Sequence, residues 1–157
     1  MLSLLLRNLL FFIIHPGLVA GLIPYYILGN SMKQVIAQPW QGLQYVALIL
    51  FAIGFVILIL CILRFATEGR GTLSPVDPTQ KLVTHGLYRF SRNPMYVGVM
   101  LMLIAEAMFF QSGTLWKYSL FVFVAFNAFI LLHEEPRLKK VFGEEYQQYC
   151  KKVRMWI

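Results

Sequence analysis

The residues best placed to do chemistry lie in two polar clusters, each at the end of a hydrophobic run. The first is Gly86-Leu-Tyr-Arg-Phe-Ser-Arg-Asn-Pro-Met-Tyr-Val-Gly98. In it Arg92 precedes Asn93-Pro94, a strong helix-start signal that by itself would only cap a membrane helix. A guanidinium beside the free N–H groups of a helix N-terminus is, in addition, suited to bind a carboxylate or phosphate.

The second cluster is His133-Glu-Glu-Pro136, followed by Phe142-Gly-Glu-Glu-Tyr-Gln-Gln-Tyr149. The adjacent carboxylates of Glu134 and Glu135 could bind hydroxyls, an ammonium or a sulfonium, or act as a base. Because Pro136 disfavours helix at the preceding residue, we expect the chain to bend at Glu135. Beyond it the sequence predicts an amphipathic interfacial helix, kinked or broken at Gly143. Its apolar face is expected to comprise Leu138, Val141, Phe142, Tyr146, Tyr149 and Val153.

The composition predicts an all-α, polytopic membrane protein. Apolar residues make up 59% of the 157-residue chain and charged residues 13%, and the mean hydropathy is +0.66. Four runs, 9–28, 43–63, 95–110 and 115–132, are long or nearly long enough to span a bilayer, which takes about 20 apolar residues. We therefore expect about four transmembrane helices plus the C-terminal amphipathic interfacial helix.

The chain is expected to form one domain over residues 1–157, with two N-terminal spans in 1–65 and a helical hairpin in 75–153. Pro16, Gly17, Gly21 and Pro24 indicate that the first span is bent and closely packed. Alternating apolar and polar residues predict a short interfacial helix over 81–90, after a turn-rich stretch from 64 to 84.

Basic residues predict the orientation. Of 14 Lys and Arg, five lie between the second and third runs and six follow the fourth, so both termini and the 64–93 loop are expected in the cytoplasm. The short turn between the last two runs places both polar clusters on that side. The net charge of +7 is then explained by topology and anionic lipids, and no nucleic-acid partner is expected.

Two lone cysteines, Cys61 and Cys150, predict neither a disulfide nor a zinc site, and the scattered histidines predict no metal site. Glu106 is the one acid within a run. We expect it to make a structural pairing toward Ser119 and Lys117. Asn127 is expected opposite Gly98, in a hydrogen bond between helices.

Taken together, Gly-x-Tyr-x-x-x-Arg-(His/Asn)-Pro-x-Tyr-x-Gly, Glu-Glu and Phe-Gly-x-x-Tyr-x-x-Tyr resemble the isoprenylcysteine carboxyl methyltransferase and phospholipid methyltransferase superfamily. The resemblance covers roughly residues 75–153. It implies a cytoplasm-facing S-adenosylmethionine pocket and a lipid or prenylated acceptor. The residues it implies for cofactor binding are His85, Gly86, Leu87, Tyr88, Arg92, Asn93, Pro94, Tyr96, Glu134, Glu135, Tyr146 and Tyr149, and for catalysis Arg92, Glu135 and Lys152.

The chain departs from the superfamily pattern at two places: Asn93 stands where His is more common, and 153–157 lacks the proline that usually follows Val153. Carboxyl O-methylation is favoured because Arg89, Arg92, Lys151 and Lys152 suit an acidic acceptor. The other possibilities are phospholipid N-methylation, an NADPH-dependent membrane reductase and a non-catalytic membrane protein. Glu134-Glu135-Pro136 argues against the reductase, which typically carries Asp and Arg-Cys elements there.

Overall fold

The computed structural model describes residues 16–68 and 82–157. The regular elements in these ranges are all helices, as predicted. The start of the first apolar run and most of the turn-rich stretch, with Lys81, lie outside the described residues. The helices are α1 (Ile23–Leu28, after a π-helical turn Leu18–Leu22), α2 (Ser31–Ala37), α3 (Gly42–Glu68), α4 (Pro94–Phe109), α5 (Gly113–Phe129) and α6 (Glu135–Lys152). A 3-10 turn, Gly86–Arg89, precedes α4, and a π-helical turn, Ile130–Glu134, joins α5 to α6.

Two helices in the described ranges are long and apolar enough to cross a membrane. They are Gly42–Arg64 within α3, with a mean hydropathy of 3.4, and the stretch Gly113–Lys152, which comprises α5, the π-helical turn and α6. Only 22% of the most apolar window of each is buried, and large side chains such as Ile49 (63% exposed) and Leu132 (70%) face outward. So extensive an apolar surface is suited to lipid contact. The apolar helices Leu18–Leu28 and Pro94–Phe109 are shorter, so length supports two of the four predicted spans.

Helices α3 and α4 are in close contact through Gly54 and Gly98. A Cβ added to Gly54 would lie 2.6 Å from the Gly98 carbonyl oxygen, and one added to Gly98 would lie 2.8 Å from the Gly54 carbonyl oxygen. Small residues of this kind let membrane helices approach until their backbones touch, where dispersion forces are strongest. The contact fixes α4 in register against α3.

Helices α4 and α5 form the predicted hairpin around Phe110, Gln111 and Ser112. Gln111 takes up a positive φ of 48°, and the Ser112 hydroxyl caps α5 by accepting from the Leu115 N–H at 3.3 Å. So short a connection makes the helices antiparallel. The start of α4 and the end of α5 therefore lie together, and we call this the site end of the bundle.

The first apolar segment is bent, as predicted, but its glycines do not cause close packing. The backbone leaves helical geometry at Ala20 (φ −108°, ψ 23°), whereas nothing lies within 4 Å of a Cβ added to Gly17 or Gly21. The bend exposes the Val19 carbonyl oxygen, which accepts a hydrogen bond from the Tyr118 hydroxyl of α5 at 2.9 Å. The segment is therefore held by a polar contact at its bend.

Two local expectations around the polar clusters are wrong. The interfacial helix expected over 81–90 is reduced, from residue 82 onward, to the single 3-10 turn Gly86–Arg89. The bend expected at Glu135 does not break the helix, because Glu135 is helical (φ −61°, ψ −45°). Its N–H donates to the Ile130 carbonyl, five residues back, and this wider turn accommodates Pro136, which has no N–H and crowds the preceding turn.

The amphipathic helix α6 forms and is broken at Gly143, as predicted. Gly143 adopts φ 52° and ψ −122°, a conformation that L side chains rarely take up. Tyr146 and Tyr149 are buried in a cluster with Val153, Leu82, Leu138, Phe142 and Cys150. Val141, expected on this face, is 56% exposed. Ahead of the break, the residues of α6 that pack against the buried cluster are Leu138 and Phe142.

The Gly54–Gly98 contact yields a stability prediction. Gly54→Ala places a methyl group 2.6 Å from a backbone oxygen that cannot move aside cheaply, so it should destabilise the folded protein by about 1–3 kcal/mol. The melting temperature in detergent measures the effect. Gly113→Ala is the matched control, since nothing lies within 4 Å of its added Cβ. Equal melting temperatures for the two variants would contradict the close contact.

Candidate functional site

The centre of the site end is an ion pair between Arg92, just before α4, and Glu135, at the start of α6. Arg92 Nη1 lies 2.6 Å from Glu135 Oε1, and the two side chains are only 14% and 12% exposed. Lys139 Nζ lies 3.8 Å from Glu135 Oε2. The structure thus brings together two of the three residues predicted for catalysis.

The ion pair leaves hydrogen-bonding capacity unused. Arg92 Nε is buried with no hydrogen-bond acceptor among the described residues, whereas Arg92 Nη1, which pairs with Glu135 Oε1, also donates to Cys150 Sγ at 2.8 Å. Burial by itself would lower the pKa of Arg92, but the Glu135 carboxylate, with smaller contributions from Cys150 and Tyr146, raises it. Arg92 is therefore a fixed cation with one buried guanidinium N–H that has no acceptor in the described part of the chain.

The second carboxylate of the pair, Glu134, has a different partner. The Tyr96 hydroxyl of α4 donates to Glu134 Oε2 at 3.0 Å, and the Tyr96 ring packs on Phe126 of α5 at a centroid distance of 4.6 Å. Neighbouring residues of a helix point in different directions, so the two glutamates reach different partners. Glu135 pairs with Arg92 just before α4, and Glu134 accepts from Tyr96 in the first turn of α4. Both predicted carboxylates thus face the first polar cluster.

The aromatic residues Tyr88 and Tyr149 connect the 3-10 turn to α6. The Tyr149 hydroxyl donates to the Tyr88 carbonyl at 2.6 Å, and the buried Tyr88 ring packs against Cys61 of α3 and Val83. Burial, followed by the influence of Cys61 and Glu134, raises the pKa of Tyr88 well above its usual range. Tyr88 is therefore a neutral phenol that lies between the end of α3 and the carboxylate pair.

A pocket of about 210 Å³ opens beside Tyr88. It is lined by Leu60, Cys61, Arg64, Gly86, Leu87 and Tyr88. Gly86 has a positive φ of 64°, and a Cβ there would lie 3.1 Å from Arg64 Nε. The volume is below the roughly 300–1,000 Å³ typical of sites for drug-sized ligands, so the pocket accommodates only part of such a ligand.

Residues 153–157 complete the site end, a role that no sequence pattern predicts. The Arg92 N–H donates to the Arg154 carbonyl at 2.9 Å, and Asn93 Nδ2 donates to the Met155 carbonyl at 3.0 Å. Asn93 precedes α4 as predicted, yet its side chain makes no capping hydrogen bond. Arg64 and Cys150 were also missed; Arg64 could have been found from its position at the end of the second apolar run.

The other predicted site residues are not drawn into the Arg92 cluster. Pro94 is buried as the first residue of α4, and His85 is exposed beside the 3-10 turn. Lys152 is exposed at the end of α6, and among the described residues it makes no hydrogen bond or ion pair with Arg92 or Glu135.

Two expectations about polar residues within the hairpin are wrong. Asn127 makes no bond to α4; its amide donates to the Phe123 carbonyl of its own helix at 2.7 Å and accepts from Trp156 Nε1 at 3.1 Å. Gly98 faces α3 instead. Glu106 Oε2 is buried and has no hydrogen-bond partner among residues 16–68 and 82–157, since the Ser119 hydroxyl donates to the Leu115 carbonyl of its own helix.

Comparison with known proteins identifies the family. The family model for phospholipid methyltransferase matches residues 43–145, more than half of the chain. Probable protein-S-isoprenylcysteine O-methyltransferases from the two subspecies of Oryza sativa are 32% identical over 114 residues, which cover 69% of this chain and 58% of the rice proteins. An uncharacterised protein from Haemophilus influenzae is 32% identical over 63 residues, 40% of this chain and all of that protein.

No solved structure matches the sequence significantly. The family match extends from α3 to the second half of α6 and so includes Arg92, Tyr96, Glu134 and Glu135. The chain therefore belongs to the isoprenylcysteine carboxyl methyltransferase and phospholipid methyltransferase superfamily.

Proposed function

We propose that the protein is a multi-pass integral membrane methyltransferase that uses S-adenosylmethionine to methylate a carboxylate on a lipid-borne acceptor of the isoprenylcysteine type. Its site end faces the cytoplasm. The observation that carries the proposal is the buried Arg92–Glu135 pair, in which Arg92 Nε has no hydrogen-bond acceptor among the described residues. An unsatisfied buried polar atom costs about 1–3 kcal/mol, and a polar ligand would remove that cost.

The residues at the site end fit the polar groups of S-adenosylmethionine. Arg92, next to the first N–H groups of α4, suits the cofactor carboxylate. Glu134 and Glu135 suit its ammonium group or ribose hydroxyls. The tyrosines of the site end are assigned to adenine and the sulfonium, by stacking and cation–π attraction.

Methyl transfer to a carboxylate requires no proton transfer. The bound cofactor supplies a methyl group on a positively charged sulfur. Held by Arg92, Glu134 and Glu135, it would supply that methyl group to an acceptor carboxylate oxygen, with the neutral thioether as the leaving group. The protein needs to align the groups and exclude water, and neutralisation of two opposite charges is favoured where polarity is low.

The charges at the site end favour a carboxylate over an amine acceptor. Arg92 and Lys139 surround Glu135, and basic residues follow at the end of α6 and beyond it (Lys151, Lys152 and Arg154). An amine would first have to lose a proton, and Glu135 is already paired with Arg92. The O-methyltransferase name of the rice relatives agrees with O-methylation, whereas the match to the phospholipid methyltransferase family supports phospholipid N-methylation as the second candidate.

The cofactor assignment predicts that Arg92→Ala and Glu135→Gln weaken binding of S-adenosylhomocysteine. A lost charged hydrogen bond should cost about 1.5–3 kcal/mol of binding free energy. Calorimetric titration of the detergent-solubilised protein measures this cost, with NADPH as the comparison ligand. Binding of NADPH in place of S-adenosylhomocysteine would support the reductase instead.

Controls separate binding from folding. Glu145→Gln and Lys140→Ala change charges on exposed positions of α6 and should leave affinity unchanged. Loss of one partner from a buried ion pair can destabilise a fold by about 3–5 kcal/mol. The double variant Arg92→Gln/Glu135→Gln removes both charges together and therefore leaves no unpaired buried charge. Normal affinity in folded single variants would place the cofactor elsewhere.

The acceptor assignment predicts a base-labile product. With radiolabelled S-adenosylmethionine, a prenylcysteine analogue should become labelled, and base should release the label as volatile methanol from the methyl ester. Phosphatidylethanolamine should remain unlabelled. Base-stable label on the phospholipid head group would establish N-methylation instead.

The proposed orientation predicts opposite labelling of two exposed positions. Gln38 follows α2, and Gln147 lies on α6. In intact cells, Gln38→Cys should react with a membrane-impermeant maleimide, and Gln147→Cys should react only after the membrane is opened. The unsubstituted protein reports the background from Cys61 and Cys150. Reaction of both positions from one side would refute the topology.

A further inference from the structure

Residues 153–157, which we call the strap, leave α6 and run alongside the segment just before α4. Ser91 and Arg154 form a parallel β-bridge, and the Arg92 N–H donates to the Arg154 carbonyl at 2.9 Å. The Met155 carbonyl then accepts from the Ser91 hydroxyl at 3.4 Å and from Asn93 Nδ2 at 3.0 Å. Three consecutive residues, with Arg92 in the middle, are thus bound to the strap.

Trp156 anchors the far end of the strap on α5. Its Nε1–H donates to Asn127 Oδ1 at 3.1 Å, and its ring lies 5.2 Å from that of Phe123. Trp156 also packs against the main buried cluster of the bundle. The strap therefore connects the end of α6, the segment before α4 and the cytoplasmic half of α5 proposed above.

Asn93 has the connections of a structural link. It is 8% exposed, its side-chain nitrogen is bound to Met155, and its backbone N–H donates to the Ser91 hydroxyl at 3.1 Å. An asparagine at this position ordinarily caps its helix, but Asn93 does not. The capping interaction is replaced by a contact with a segment 62 residues away in sequence.

We propose that Asn93 is a positioning residue, which acts through the strap to hold Arg92 toward Glu135 and does not itself touch the cofactor. The Arg92 side chain is long, and its direction depends on a backbone that no regular helix or sheet supports. Strap hydrogen bonds on Ser91, Arg92 and Asn93 supply that support. The inference rests on the proposed function in one respect, the choice of S-adenosylhomocysteine as the ligand in its binding test.

A double-mutant cycle distinguishes a positioning role from direct contact. Asn93→Ala and deletion of residues 155–157 should each weaken S-adenosylhomocysteine binding roughly two- to twelvefold, the effect of one lost hydrogen bond. The combined variant should bind no more weakly than the weaker single variant, since both changes break the same connection. Asn93→His, which keeps an N–H donor, should recover part of the affinity, and Asn93→Asp should not. Additive losses would show that Asn93 contacts the ligand, and would overturn the proposal.

Hydrogen exchange supplies a test that needs no cofactor. The Arg92 amide, bound to Arg154, should exchange faster in Asn93→Ala and in the deletion variant, while amides in the middle of α3 keep their protection. If the deletion variant does not fold, Trp156→Phe replaces it, because it loses the bond to Asn127 and keeps an aromatic ring. Unchanged exchange at Arg92 would overturn the inference. If the unsubstituted protein does not bind S-adenosylhomocysteine, the proposed function alone is overturned. Hydrogen exchange at the Arg92 amide then tests the positioning role of Asn93.

Discussion

The site end is organised around one buried ion pair, Arg92–Glu135. A buried ion pair adds little net stability, because the desolvation of both charges offsets their attraction. It does impose a strict geometric requirement, since either charge left alone in a poorly solvated place would be costly. The start of α4 and the start of α6 must therefore be held within one side-chain length of each other in every folded molecule.

Three features of the backbone meet that requirement. The hairpin between α4 and α5 returns the chain to the same end of the bundle, and the π-helical turn Ile130–Glu134 directs the two glutamates. Residues 153–157 then hold the Arg92 backbone from the other side. All three are features of the backbone, so the two charged side chains are brought together by parts of the chain other than themselves.

Much of this arrangement could be predicted from the sequence because it follows from short-range signals. Asn93-Pro94 marks a helix start, Gly143 marks a break, and two apolar runs with a short turn must form a hairpin. Those signals suffice to bring Arg92 and Glu135 to one end. The π-helical turn could not be predicted, since Pro136 is equally compatible with a simple bend.

The path of residues 153–157 was also beyond prediction. It is set by hydrogen bonds between backbone and side-chain groups far apart in sequence, such as Asn93 to Met155, and no periodic pattern encodes them. The same applies to Asn127, whose partner Trp156 comes from that segment. The side chains themselves give no indication that the Asn127 amide of α5 will bind the indole of Trp156, which follows α6.

The contact between Gly54 and Gly98 also constrains the movement of lipid around the protein. With the backbones of α3 and α4 in van der Waals contact, no gap as wide as a methylene chain remains between them at that level. A hydrocarbon chain therefore cannot pass between α3 and α4 at that level. The approach route of a lipid is thus restricted by two residues that have no side chains at all.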